Sequence, residues 1–306
     1  MTHAFTSLPP VVRALLAGAI DYAGLFPPAE LDMGTAVSRY LVHRAGPDAW
    51  ALGRFVVPSS RLDALAVETR AGAEGLPEGE ARLIPLTVLL GADTAGDVEA
   101  VETFNRECLV NGARVDAVEV KAATDEVVHR VLEVIPARWV RYVEVPLGEG
   151  TPSALDAVRD GGAFAKVRTG GTVAEAIPTP ERLIEFLEGV KLRRLAFKAT
   201  AGLHHPVRGL YRLTGAPDGP LGVTYGYLNL MIAAGILWRG GDRTLAREAL
   251  LESDIESYTI NGDALLWHDL RFEGDAIERM RSAFFHGFGS CSFSEPLREL
   301  PAWSGR

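Results

Sequence analysis

Short apolar runs alternate with segments patterned for helices through most of the chain, and the spacing fits one repeating strand–helix unit. Phe55-Val-Val-Pro-Ser predicts a strand, followed by a helix around 61–71. Leu83-Ile-Pro-Leu-Thr-Val-Leu-Leu predicts a second, with a helix around 95–108. Val115-Asp-Ala-Val-Glu-Val-Lys is a third strand, and Thr124 caps the helix that follows it to about 134. Trp139-Val-Arg-Tyr-Val-Glu-Val-Pro leads to a helix starting near Ser153. Ala163-Phe-Ala-Lys-Val-Arg-Thr-Gly-Gly leads to one opening at Thr179, with proline in its first position. The sixth strand, Leu195 to Thr200, runs into a loop carrying His204 and His205.

The pattern is less regular at both ends. Residues 10–20 predict a short helix and 34–44 a second. Between them, Ile20-Asp-Tyr-Ala-Gly-Leu-Phe-Pro-Pro-Ala29 is broken by glycine and proline, and reads as a plug on the core or a loop over a site, the plug being the commoner use of buried aromatics. Beyond residue 209 come a Gly/Pro-rich loop, an apolar helix from Tyr225 to Trp238, and a polar-faced helix over 243–252. Ser257 to His268 predicts a hairpin turning at Asn-Gly, followed by a helix over about 275–285. Phe288 to Phe293 is a closing strand or an ordered tail.

Strands alternating with helices imply an α/β fold with a parallel sheet, either a (β/α) barrel or an open doubly wound sheet. The barrel is preferred because ionisable residues converge from consecutive strands. Six units and an antiparallel hairpin leave the barrel incomplete or distorted in this reading. It forms a single domain over residues 1–306, with a helical segment at 1–50 and an irregular part at 209–306.

Side chains two apart on a strand share a face, and faces under helices want apolar residues. This parity turns Glu119 and Lys121 inward from the third strand, Tyr142 and Glu144 from the fourth, Lys166 and Arg168 from the fifth, and Lys198 and Thr200 from the sixth. Two carboxylates then face four cations, and the excess positive charge suits a ligand bearing a carboxylate or phosphate. The competing reading is a self-neutralising buried ion network; such networks add little stability, which favours a site. A lysine beside other cations has a lowered pKa and is freed to form a Schiff base with a carbonyl. Lys198 is the candidate for that role, with Lys166 and Arg168 binding the anionic group, Glu144 transferring protons and His204 or His205 assisting. The alternative for Lys198 is a fixed charge that binds an anion. Thr169-Gly170-Gly171 and the Thr200 turn are candidate anion cradles. His43, His129, His268 and His286 stand alone.

Composition narrows the partners. The formal net charge is −9, with no basic block, which argues against nucleic acid or an anionic membrane surface as partner. Cys108 and Cys291 lie in no metal-like or disulfide-framework spacing, which suggests a reducing cytoplasm, and Cys291 reads as a packed thiol. Residues 14–20 form too short an apolar run to span a bilayer. No P-loop, GxGxxG or GxSxG motif is present, and no cofactor is implied.

Lys166-Val-Arg-Thr-Gly-Gly and Phe197-Lys-Ala-Thr-Ala-Gly resemble the lysine-bearing strand ends of class I, Schiff-base-forming aldolases of the (β/α) barrel type. Val143-Glu-Val-Pro-Leu is similar to a segment of enolase-like barrels, but the metal-binding acids of such sites are missing. The Asp21-Tyr-Ala-Gly-Leu-Phe-Pro-Pro segment and the Phe288-Gly-Ser-Cys-Ser-Phe tail resemble bacterial proteins of unassigned function. The expectation is a lyase or isomerase acting on a small anionic carbonyl compound. The alternatives are a metal-dependent hydrolase using histidine and glutamate, or a non-catalytic barrel that binds a metabolite or, through its 225–238 helix, another subunit in a homo-oligomer.

Overall fold

Each β-branched or aromatic run becomes a stave because a helix covers its outer face while its inner face meets the other strands across a shared lumen. The computed structural model describes residues 8–72, 83–301 and 303. Its barrel strands are β1 (Ile20–Tyr22), β2 (Leu52–Pro58), β3 (Ile84–Leu89), β4 (Ala113–Lys121), β5 (Val140–Glu144), β6 (Phe164–Arg168) and β7 (Phe197–Thr200). The chain then makes a hairpin, β8 (Gly209–Arg212) with β9 (Leu221–Thr224), and a three-stranded antiparallel sheet, β10 (Tyr258–Asn261), β11 (Ala264–Trp267) and β12 (Leu270–Glu273). Finally β13 (Phe285–Ser290) enters between β7 and β1, parallel to both, and the eight-stranded barrel closes.

The barrel is therefore complete, which corrects the expected incompleteness. One stave, β1, escaped the sequence reading, and the eighth, read as a closing strand or an ordered tail from Phe288, begins three residues earlier; both carry residues that strand propensity disfavours. β1 is three residues long with Asp21 at its centre, inside the segment expected to be a plug or loop. β13 contains Gly287 and Gly289, and a side chain at 287 would strike the Ala19 carbonyl. The hairpins are insertions ahead of the eighth strand rather than replacements for it. In the β10–β11 hairpin Asn261 pairs with Ala264, so the turn is Gly262-Asp263, one residue later than expected, with Gly262 supplying the positive φ of 62°.

The helices are α1 (Pro10–Leu16), α2 (Met33–Ala45), α3 (Leu62–Gly72), α4 (Thr94–Arg106), α5 (Cys108–Asn111), α6 (Asp125–Val134), α7 (Thr151–Asp160), α8 (Pro180–Leu192), α9 (Tyr227–Trp238), α10 (Arg243–Leu251), α11 (Gly274–Ala283) and α12 (Ser294–Arg298). Side chains cap several of their N-termini: Asp32 accepts from the Thr35 amide, Thr124 from Val127 and Thr179 from Arg182. Among the described residues no helix is long and apolar enough to cross a membrane.

α9 is buried from Tyr227 to Leu237, so this helix offers no surface to another subunit, contrary to one expectation. Its one polar interior residue holds the C-terminal third together. Asn229 Nδ2 donates to the carbonyls of Ala249 and Glu252 at 2.8 Å, and its Oδ1 accepts from the Gly226 amide at 3.0 Å. Replacing Asn229 by alanine strands two buried carbonyls and an amide. The variant is expected to lose about 2–4 kcal/mol in urea unfolding, and a change below about 0.5 kcal/mol would show that these bonds hold nothing.

Candidate functional site

Inward parity on β1, β4, β5, β6 and β7 brings five charged side chains into one continuous chain of alternating sign. Asp21 accepts from Lys198 Nζ, and Lys198 also donates to Glu119 Oε1 at 2.6 Å. The other Glu119 oxygen lies 2.5 Å from Lys166 Nζ, and Lys166 lies 2.9 Å from Glu144 Oε2. The order is thus Asp21, Lys198, Glu119, Lys166, Glu144. Glu119 is shared by both lysines, which hold its two oxygens apart. The second Asp21 oxygen accepts the backbone amide of Arg54 at 2.7 Å, which ties the chain to β2.

Asp21 and Lys198 meet although β13 stands between their strands. The register explains it: Asp21 pairs with Gly289, and Gly289 pairs with Thr200, so the inward position on the intervening strand has no side chain. Below this layer Tyr142 hydrogen-bonds His286 Nδ1 at 2.9 Å, and the Lys198 ammonium lies 5.3 Å from the Tyr142 ring centroid. Burial pushes the Tyr142 phenol up to about 12, with Lys198 opposing it.

Protonation follows the neighbours. Burial alone would raise the Glu119 pKa, but Lys166 and Lys198 outweigh it and bring it down to about 2. Burial would lower the Lys198 pKa, but Asp21 and Glu119 outweigh it, and the ammonium is held well above the ordinary lysine value. This overturns the expectation of a lowered pKa on Lys198, because the nearest neighbours are carboxylates rather than cations. The Glu144 carboxyl is also lowered: burial opposes, and Lys166 prevails.

Above the chain lies a cavity of about 170 Å³. Glu119, Lys166 and Lys198 form its floor, Arg168, Thr200, Gly289 and Cys291 its wall, and His204, the β8–β9 hairpin and Phe26–Pro28 its mouth. Glu144 does not reach it; this carboxylate stands behind Lys166, so Glu119 is the acid that faces the cavity. Lys121 points outward at the rim with its side chain 71% exposed, 3.6 Å from Glu144 Oε1, and is not an interior group. Extra length at the end of β4 carries it beyond the lumen.

The proposed cradle is corrected in part. The Thr169 hydroxyl donates to the Ala201 carbonyl at 2.6 Å, and Gly170 packs on the Ala201–Gly202 backbone, where a Cβ would lie 3.1 Å away. These two residues lock the β6 loop to the β7 loop, while Gly171 lines the cavity. Arg168 is exposed at the mouth, its Nε donating to the Gly170 carbonyl at 2.9 Å. The Thr200 hydroxyl is buried with no partner.

The two histidines divide. His204 lies beside Cys291, with Ser290 Oγ 3.1 Å and Glu295 Oε2 3.5 Å from its Nδ1. Burial works against its charge, but Cys291 and Glu295 outweigh burial and raise its pKa to about 9. His205 stacks on Tyr211 with ring centroids 3.5 Å apart and pairs with Glu299 at 2.8 Å, a rim contact. Among the described residues no three His, Cys, Asp or Glu side chains converge in a way that could hold a metal ion. The interior carboxylates carry lysine partners instead, so this donor set does not fit the hydrolase alternative.

Sequence reasoning missed Asp21 and Cys291. The parity of a three-residue strand is too short to register, and Cys291 stands in no nucleophile motif. The chain is thus a closed (β/α)-barrel with an ionic interior opening on a cavity at the C-terminal ends of its strands. Comparison with protein-family models, curated proteins and solved structures gives no match.

Removing one member of a buried ion chain leaves its partners uncompensated. Lys198→Met is expected to cost about 3–5 kcal/mol in urea unfolding, whereas Lys121→Met at the exposed rim should change stability by less than about 0.5 kcal/mol. Because the folded Glu119 pKa lies below the ordinary 4.5, its contribution is present above pH 4.5 and disappears as pH falls toward about 2. The acid limb of the stability curve should flatten in Glu119→Gln; an unchanged limb would contradict the pairing.

Proposed function

We propose that the protein is a lyase or isomerase for a small anionic carbonyl compound, with Lys166 as the amine that attacks the carbonyl carbon. The observation that carries this is a lysine placed between two carboxylates and facing a cavity whose mouth bears Arg168 and His204. The likeness of the β6 and β7 ends to Schiff-base aldolases covers both lysines and supports a Schiff base at one of them; the placing of the nucleophile on Lys166 instead of the expected Lys198 rests on the surroundings of the two amines. Lys198 is held too firmly as an ammonium between Asp21 and Glu119 to give up a proton readily.

The ion chain suits an iminium. Lys166 passes a proton to Glu144, its nitrogen adds to the carbonyl carbon, and loss of water leaves a protonated Schiff base. That iminium restores positive charge at the point where Glu119 and Glu144 were already arranged to neutralise it. Glu144 is the better first acceptor because its side chain is 11% exposed against 3% for Glu119, so it can exchange the proton with solvent on the Lys121 side, away from the cavity. When a neighbouring carbon then loses a proton, its electron pair runs to the Schiff-base nitrogen and leaves a neutral enamine, and Lys198 stands as a fixed charge toward the oxygens the substrate retains. Arg168 and His204 supply the charge that attracts the substrate's anionic group.

Borohydride reduction in the presence of keto acids and aldehydes, read by peptide mass spectrometry, tests this. A reduced adduct is expected on Lys166, absent from Lys166→Met, and formed about 10²-fold more slowly in Glu144→Gln. Absence of an adduct on any lysine across the panel would sink the Schiff base.

A further inference from the structure

The lysine chemistry leaves one nucleophile of the cavity unused. Cys291 directly follows β13, is 7% exposed, and lines the cavity wall. Its sulfur lies 3.7 Å from Nδ1 and 3.8 Å from Nε2 of His204. Near-equal distances mean that no single directed N–H···S bond defines the pair. Either ring nitrogen is close enough to exchange a proton with the sulfur as it attacks a carbonyl. Ser290 and Glu295 fix the ring from the Nδ1 side at 3.1 Å and 3.5 Å, so base, orienting acid and thiol form one connected set.

A separate observation points to a ligand beside this set. Thr200 in the cavity wall and Thr224 at its mouth both line the cavity, but their hydroxyl oxygens are closed off from it and have no hydrogen-bond partner, so a turn about χ1 would present either to a guest. Thr224 is only 4% exposed. Buried hydroxyls left unpaired are costly, and a guest bearing carbonyl or hydroxyl oxygens would satisfy them.

We infer that Cys291 is a second nucleophile of this cavity, activated by His204, and that it captures a small aldehyde reversibly as a thiohemiacetal. The sulfur bonds to the carbonyl carbon and the C=O π pair moves onto oxygen; the His204 ring gives that oxygen a proton and takes the thiol proton in its place, so the ring ends as it began. No oxidant or reductant is consumed. Thr200 and Thr224 are the hydroxyls available to the new C–OH group. A thiol that holds the aldehyde near Lys166 raises its local concentration at the amine. The inference rests on reading this cavity as a carbonyl site, but not on the lysine chemistry itself.

The test is alkylation of the folded protein by iodoacetamide, with and without glyoxylate, read by peptide mass spectrometry. Cys108 is the internal reference. Cys291 is expected to react about tenfold faster than Cys108 despite its burial. His204→Gln and Glu295→Gln should each slow it, the second variant serving if the first does not fold. Glyoxylate should protect Cys291 equally in the native protein and in Lys166→Met. Reaction no faster than at Cys108, or rates indifferent to both substitutions, would overturn the inference. So would protection that vanishes in Lys166→Met, which assigns the aldehyde to the lysine and leaves that reading standing. Protection that survives there, with no borohydride adduct on any lysine, upholds the thiol and removes the Schiff base.

Discussion

The arrangement depends on Glu119. Its two oxygens are claimed by two different lysines, and it is the one group that joins the Asp21–Lys198 pair to the Lys166–Glu144 pair. Burying an isolated carboxylate is prohibitive, and burying two ammoniums side by side is worse. The interior therefore holds together only as a complete alternating sequence, with Asp21 and Glu144 closing its two ends. Five ionised groups contribute little net stability compared with an apolar filling of the same volume. What they do supply is a fixed pattern of charge in a place where the dielectric screening of water is weak.

Room for a guest above that pattern comes from glycine. On β13 the inward position that would otherwise fill the upper lumen is Gly289, which pairs with Asp21 and Thr200 and lines the cavity. The lower layers are filled in the ordinary way by Tyr142, Phe164 and His286, whose rings pack together with centroids 4.8–6.0 Å apart. The barrel is thus packed at one end and hollow at the other. The hollow end is also where the irregular insertions sit, since β8 and β9 bring Tyr211, Arg212, Leu213 and Thr224 to the mouth.

The period-two pattern of four adjacent strands made the charged lumen legible in advance, because an outward charge under a covering helix would be untenable and the parity follows. Lys166, Lys198, Glu119 and Glu144 were placed inward on that ground, and all four lie there. Lys121 obeys the same parity but stands past the end of the lumen, where parity no longer decides exposure. The strand pairings across the ring are what the sequence could not express. Asp21 is 177 residues from Lys198, on a three-residue strand, and only closure by β13 brings the two together. The sign of the Lys198 shift hung on that one missing carboxylate: read without Asp21 the lumen is cationic, and read with it the lysine is caged.

The chain's formal charge of −9 would by itself repel an anionic guest. Long-range repulsion between exposed charges is screened within about 8–10 Å at physiological salt, so the local field at the mouth decides entry. There Arg168 is exposed and His204 carries its proton through the neutral range, while inside three carboxylates share two lysines. The interior carries one excess negative charge, and Arg168 and His204 bring positive charge to the rim. On the proposed reading, this field would turn a guest with one negative group and one carbonyl so that the anion faces the rim and the carbonyl the lysines. The same geometry disfavours a dianion able to reach the floor, because its inner charge would face Glu119 without any further cation to receive it.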